Sequence, residues 1–319
     1  MLRIVFPDAD SNMKSLLTED LIMKLESVAE FEIYDERPKT DEEFIRRVQY
    51  ADALLLGWGI SNEVIRACEN LKMISFTGYG VRNFIDLEYT RKKGIIVTNT
   101  PAYGDNAVAE HALALMMALT KNIPENDRKI RKGNWDQSTS NMELKGKTIG
   151  LVGIGGIGKR MAELCNAMGM EVISWTFNPS VERGKELGVM FVELEELLDD
   201  SDIVSLHLPY TNNTQGIIGK PELEAMKPGC MLINTARAEL VDTAALIQQL
   251  ERGHLAGAGI DVFDQEPIHP DSPLLKMDNV ILSPHVGYNT PESVSNIIKI
   301  AVDNVVQGLK GDPVNVVND

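Results

Sequence analysis

Three residues in the second half of the chain carry side chains suited to moving a proton at a carbonyl: Arg237 in LINTARAELVD, Glu266 in GAGIDVFDQEP and His285 in ILSPHVGYNTPES. A histidine neutralises charge developing on an oxygen by donating a proton to it. A carboxylate beside that histidine favours the imidazolium and fixes the ring. A guanidinium binds a carboxylate through two parallel hydrogen bonds and polarises the neighbouring carbonyl. Singly, an arginine or glutamate behind a strand is more often a solvated loop charge, and a lone histidine a structural one. Here each follows a run with strand character, and strand ends in an open α/β sheet converge on one crevice. Side chains far apart in sequence can meet there, and together the three suit hydride transfer to a ketone carbon.

A nucleotide is the natural hydride source, and the chain has a turn for one. Gly153, Gly155 and Gly158 form G-x-G-x-x-G between TIGLV and the amphipathic KRMAELCNAMG, with Gly156 and Ile157 inside the pattern. The first glycine permits a tight turn, the second lets a pyrophosphate approach the backbone, and the third lets helix and strand pack closely. The helix start then offers unpaired N–H groups to the phosphates. An acid about 20 residues past such glycines holds the ribose 2′-hydroxyl of NAD, but the second strand ends in WTFNPS with Thr176 at that place. Without that anion a 2′-phosphate is not repelled. Thr176, Asn178 and Ser180 offer it hydrogen bonds and Arg183 adds charge, so NADP is favoured over NAD. The alternative is that the same hydroxyl and amide serve the ribose of NAD less strongly, giving mixed specificity.

These groups need a scaffold, and the apolar runs supply one. LRIVF, FEIY, ADALLL, LKMISF and GIIVTN alternate with helix-like segments, the cadence of a parallel sheet covered on both faces. A helical pattern follows from about Asp105 to Arg131, with Ala109, Ala112, Leu113, Met116 and Met117 on one side. After the polar GNWDQSTSNMELKGK a second series begins: TIGLVGI, EVISWTF, DIVSLHL, GCMLINT, LAGAGIDVF and NVILSPH. Six strands match a complete dinucleotide-binding sheet. The tail reads as one helix, opened by Pro291, and a short extended end. The expected class is α/β, with two doubly wound parallel-sheet lobes.

At 319 residues the chain exceeds the reach of one hydrophobic core, in line with two domains. A formal charge of −16 repels nucleic acid and anionic membranes, excluding both as partners. The same field opposes an acidic substrate, so a local cation must overcome it, and Arg237 is so placed. Cys68, Cys165 and Cys230 are few and widely spaced, which argues against disulfides and metal sites and for a reducing compartment. The start MLRIVFPDAD lacks a signal-peptide core and ALALMMAL is too short to span a membrane, so a cytoplasmic protein is expected.

The phrases GYGVRNFIDLEYTRKKGIIVTNTPAYGDNAVAEHALALMMAL, LKGKTIGLVGIGGIGKRMAELCNAMGMEV, SDIVSLHLPYTNNTQGIIG, INTARAELVDTAALIQQLERGHLAGAGIDVFDQEP and LSPHVGYNTPES resemble the D-isomer-specific 2-hydroxyacid dehydrogenase family. The resemblance implies NAD(P)-dependent reduction of a small 2-oxo acid, of the glyoxylate, hydroxypyruvate or pyruvate class, to the D-2-hydroxy acid. It implies a Rossmann cofactor domain, residues 99–286, inserted into a flavodoxin-like substrate domain of residues 1–98 plus 287–319. It makes Arg237 the substrate-binding arginine, His285 the catalytic histidine and Glu266 its acid. Asp261 would contact the nicotinamide carboxamide, Thr235 and Ala236 the ribose beside it, and His207, Leu208, Pro209 and Thr214 the adenosine side. Gly78, Tyr79, Gly80 and Val81 match the loop that holds the substrate carboxylate, and Tyr103 lies near the substrate. The family further implies a homodimer contacting through NAVAEHALALMMAL, and closure of a cleft between the lobes. Departures are Ala238 in place of a common glycine, Arg82 at an often acidic position, and Thr176. The rival readings are a non-catalytic NAD(P) sensor of the corepressor kind and a formate- or phosphite-type dehydrogenase.

Overall fold

The computed structural model describes residues 1–318. The chain forms two compact units: Met1–Gly104 joined by the chain end from Thr290, and Asp105–Asn289.

In the first unit, β1 (Arg3–Phe6), β2 (Glu30–Ile33), β3 (Ala53–Leu56), β4 (Met73–Phe76) and β5 (Ile96–Thr98) pair only in parallel, in the order β2-β1-β3-β4-β5. Each strand was marked by an apolar run. Every residue of β3 and β4 is buried, which requires cover on both faces. Alternation along β1 provides for this: Ile4 and Phe6 pack with Ile298, Val302 and Val305 of the Pro291–Leu309 helix, while Val5 packs with Phe44 and Val64 on the other side. That helix starts as expected, with Pro291 in its first turn and the Thr290 hydroxyl accepting from the Ser293 N–H at 3.2 Å.

The second unit holds β6 (Thr148–Val152), β7 (Glu171–Trp175), β8 (Met190–Phe191), β9 (Ile203–Leu206), β10 (Met231–Asn234), β11 (Gly257–Ile260) and β12 (Val280–Leu282). All pair in parallel, in the order β12-β11-β10-β9-β6-β7-β8. The six expected strands are there, and β8 is an addition. Two residues long and at the sheet edge, it leaves no periodic signal. The order reverses between β6 and β9, where open α/β sheets form their ligand crevice.

The helical pattern from Asp105 to Arg131 is two helices, Asp105–Thr120 and Ile123–Arg131. Asn122 between them is left-handed, with φ 50°, and Pro124 sits in the first turn of the second helix. A proline there has no N–H for the preceding turn and its ring blocks continuation. Ala109, Ala112 and Met116 are buried with Ile149 and Ile233 of the sheet, and Leu113 and Met117 are partly buried against them. Among the described residues no helix is long and apolar enough to cross a membrane.

Candidate active site

The glycine turn joins β6 to the Gly156–Ala167 helix. Gly153 is left-handed, with φ 98°, and a Cβ there would lie 2.8 Å from the His207 carbonyl oxygen. A Cβ on Gly158 would run into the Gly153 carbonyl, and one on Gly156 into the Asp105 carboxylate. Gly155 differs: an added Cβ would meet none of the described residues within 4 Å. The first and third glycines are therefore closed by packing, while the second opens a cradle at a helix start, where phosphate is favoured.

The strand ends beside this turn carry unpaired polar atoms. His207 Nδ1 and Thr235 Oγ1, following β9 and β10, are buried and have no hydrogen-bond partner among the described residues. Buried polar atoms are nearly always paired, so these two fit a crevice that receives a polar ligand. Burial pushes the His207 pKa down to about 4, keeping the ring neutral, with Nε2 held 3.0 Å from Ser205 Oγ. Leu208 is buried against the Gly153 position. The Thr214 hydroxyl donates to the Pro209 carbonyl at 2.7 Å and accepts from the Thr211 N–H at 2.8 Å, tying that loop together. Past β7, the Arg183 guanidinium donates to the Ile154 carbonyl at 2.6 Å and the Asn178 carbonyl at 3.2 Å. A cation thus lies beside the glycine turn and bonds the segment that follows β7. The Ser180 hydroxyl accepts from the Arg183 N–H at 3.1 Å, capping the Val181–Leu187 helix.

Arg237 follows β10 in a tight local weave. Asn234 Oδ1 accepts from the Ala236 N–H at 3.0 Å, Asn234 Nδ2 donates to the Arg237 carbonyl at 2.9 Å, and Arg237 Nη1 donates to the Ala236 carbonyl at 2.6 Å. The weave fixes one corner of the guanidinium, and among the described residues no carboxylate is within ion-pair distance of it. Glu266 and His285 are paired, with His285 Nδ1 2.8 Å from Oε2 and 3.1 Å from Oε1. Oε1 also accepts from the Phe263 N–H at 3.1 Å, which holds the carboxylate in place. An ionised carboxylate only accepts, so Nδ1 carries a proton and Nε2 is the nitrogen available for proton transfer.

The backbone at His285 is left-handed, with φ 52°, a conformation that costs a non-glycine residue about 1–2 kcal/mol. Asp261, just past β11, holds the loop in that shape. Its Oδ1 accepts from Ser283 Oγ at 2.5 Å and the Val286 N–H at 3.0 Å, and its Oδ2 from the Gly287 N–H at 2.9 Å. Burial alone would raise the Asp261 pKa, but the bonds from His111, Ser283, Gly287 and Val286 outweigh it and hold the carboxyl below its ordinary range. Strain in a functional loop persists when its surroundings over-determine it. Sequence reasoning missed His111, whose Nε2 lies 2.8 Å from Ser283 Oγ. One histidine in an amphipathic helix gave no sign of it.

Residues 113–287 match the family model described as D-isomer specific 2-hydroxyacid dehydrogenase, NAD binding domain. The chain belongs to that family. Members of the D-isomer specific 2-hydroxyacid dehydrogenases are oxidoreductases that use NAD(P) to interconvert 2-oxo and D-2-hydroxy acids, and this chain is one of them. It is similar to the glyoxylate reductase of Korarchaeum cryptofilum, 39% identical over 306 residues that cover 93% of this chain and 92% of the relative. It is 40% identical over 281 residues to the D-3-phosphoglycerate dehydrogenase of Archaeoglobus fulgidus, covering 87% of this chain but 53% of that protein, so it spans about half the length of that relative. Among solved structures, an acyclic imino acid reductase in complex with NADPH and D-Arg is 32% identical, with a TM-score of 0.85 over 99% of this chain and 100% of that one.

The first unit contains the loop expected to hold a substrate carboxylate in this family. The Gly78 carbonyl accepts from the Thr100 N–H at 3.0 Å, and the Tyr79 carbonyl from Asn99 Nδ2 at 2.9 Å and the Val81 N–H at 3.1 Å. Val81 is buried with its N–H engaged inside the loop, while Tyr79 is exposed. Arg82 is exposed in the Val81–Asn83 turn. The Tyr103 carbonyl accepts from Asn296 Nδ2 at 3.5 Å, which ties that segment to the Pro291–Leu309 helix.

Proposed function

We propose that the chain reduces a small 2-oxo acid of the glyoxylate, hydroxypyruvate or pyruvate class to the D-2-hydroxy acid, with NADPH preferred to NADH. The observation that carries this reading is the His285–Glu266 pair at 2.8 Å, held on a strained loop of the sheet that also carries the glycine cradle and Arg237. Gly153, Gly155, Gly156, Ile157 and Gly158 form the phosphate cradle, and Thr235, Ala236 and Asp261 border the nicotinamide end. When bound, the dinucleotide supplies the hydride for the carbonyl carbon. Arg237 binds the substrate carboxylate and polarises the carbonyl. His285 delivers its Nε2 proton to the oxygen, and Glu266 orients the ring and stabilises its cationic form. In the first unit, Gly78, Tyr79, Gly80, Val81 and Tyr103 are the residues we assign to substrate contact.

The NADPH preference rests on Thr176 in place of an acid and on Arg183 beside the glycine turn, with Asn178 and Ser180 nearby. A homodimer formed through the Asp105–Thr120 helix region and a cytoplasmic location complete the proposal. The test is a spectrophotometric panel of 2-oxo acids, each with NADH and with NADPH, followed by the chirality of the product. Reduction to a D-product, faster with NADPH, is expected. Tight nucleotide binding with no turnover on any 2-oxo acid would favour a sensor. Turnover only in the oxidative direction with formate or phosphite would favour that class of dehydrogenase.

A further inference from the structure

A second histidine reaches the loop that carries His285. His111 projects from the Asp105–Thr120 helix, and its Nε2 lies 2.8 Å from Ser283 Oγ and 3.4 Å from Asp261 Oδ1. The direction of each bond follows from the chemistry of the groups. Asp261 is an acceptor, so the Ser283 hydroxyl donates its only proton to Oδ1 at 2.5 Å. The serine oxygen must then accept from His111, which places a proton on His111 Nε2. Asp261 in turn accepts from the N–H groups of Val286 and Gly287, the two residues after His285. His111 also packs on the loop directly, since a Cβ on Gly287 would lie 3.4 Å from His111 Cδ2 and 3.1 Å from Asp261 Oδ2.

We propose that His111 is a positioning residue for the proton donor, acting through the relay His111–Ser283–Asp261 to lock the 283–287 backbone and hold His285 left-handed. This rests on His285 being the proton donor, as proposed above. The relay links a helix of the core to the one loop position where backbone strain and proton transfer coincide. Donors fixed by a supporting shell lose rate steeply when that shell loosens, about 100-fold for a shift of ~1 Å. His111 touches neither nucleotide nor acid in this account, so its loss should act on turnover and not on binding.

The experiment compares His111→Leu, His111→Gln, Ser283→Ala and the His111→Leu/Ser283→Ala double variant with the wild type. His111→Leu and Ser283→Ala are expected to lower kcat by about 10- to 100-fold. KM for the 2-oxo acid and Kd for NADPH should stay within about threefold. Glutamine places an N–H donor near the position of Nε2, so His111→Gln should recover most of kcat. The double variant should be no slower than the slower single one, because both remove the same relay. Hydrogen exchange at the amides of Val286 and Gly287 should quicken in His111→Leu and Ser283→Ala, a reading independent of activity. Wild-type kcat in His111→Leu, an equal loss in His111→Gln, multiplicative losses in the double variant, or unchanged exchange would each overturn the proposal. If His111→Leu does not fold, His111→Gln and Ser283→Ala carry the same decision. A wild-type chain that binds NADPH but reduces no 2-oxo acid would refute the reading of function instead, and the exchange measurement would still decide the relay.

Discussion

Replacing Asp261 with asparagine keeps the shape of the side chain and exchanges one acceptor for a donor. Oδ1 accepts from Ser283 and Val286, and Oδ2 from Gly287. The amide does least harm with its oxygen towards the first two, which leaves its NH2 facing the Gly287 N–H. A buried donor left unpaired costs about 1–3 kcal/mol, and the two surviving bonds each lose about 1 kcal/mol of charge assistance. The gross penalty is then about 3–5 kcal/mol. The loop can escape part of it by letting His285 leave its left-handed conformation, which recovers about 1–2 kcal/mol. A net destabilisation of about 1–4 kcal/mol follows, with a large loss of kcat because the proton donor moves. Urea unfolding of Asp261→Asn against the wild type near neutral pH, with kcat measured alongside, tests this. The pH dependence has a definite sign: the Asp261 carboxyl is held below its ordinary range in the fold. Its stabilisation is therefore complete above the unfolded carboxyl's range and is lost as pH falls through the folded value. The gap between wild type and variant should narrow on acidification. A difference under ~0.5 kcal/mol at neutral pH, the range of an ordinary surface substitution, together with unchanged kcat, would refute the argument.

The glycine turn separates packing from binding. Gly158→Ala should destabilise the fold because its Cβ meets the Gly153 carbonyl, whereas Gly155→Ala should leave Tm nearly unchanged and weaken NADPH binding by blocking the phosphate approach; thermal melts and nicotinamide fluorescence titrations of both variants check this. Thr176→Asp should weaken NADPH by roughly 10- to 30-fold, the effect of a carboxylate ~5 Å from a phosphate of charge about −2 in a water-like medium. It should also tighten NADH, and paired Kd measurements with the two nucleotides read both changes.

Much of the site was legible because glycine patterns and strand ends are local signals. The G-x-G-x-x-G turn was readable from spacing, and the structure explains Gly153 and Gly158 by different close neighbours and Gly155 by the open space in front of it. Arg237, Glu266 and His285 stood out because each follows an apolar run long enough to be a strand. Their partners did not. Asp261 was expected to contact the nicotinamide, but its oxygens also hold the His285 loop, which depends on a backbone shape that no periodicity encodes. His111 lies 172 residues from Ser283 in the chain, and one polar residue in a helix cannot announce so distant a partner. Strand β8 and the break at Asn122 were lost for the opposite reason, being too short to disturb the surrounding pattern.

The proposed chemistry turns on His285 as the donor of the proton. The direct measurement is single-turnover oxidation of bound NADPH by a 2-oxo acid that the wild type reduces, compared with His285→Ala, with NADPH affinity determined for both. A loss of about 10²- to 10⁴-fold in the rate of turnover, the usual reach of a general acid, at nearly unchanged affinity is the predicted result. A variant that still turns over within tenfold of the wild type would contradict the account.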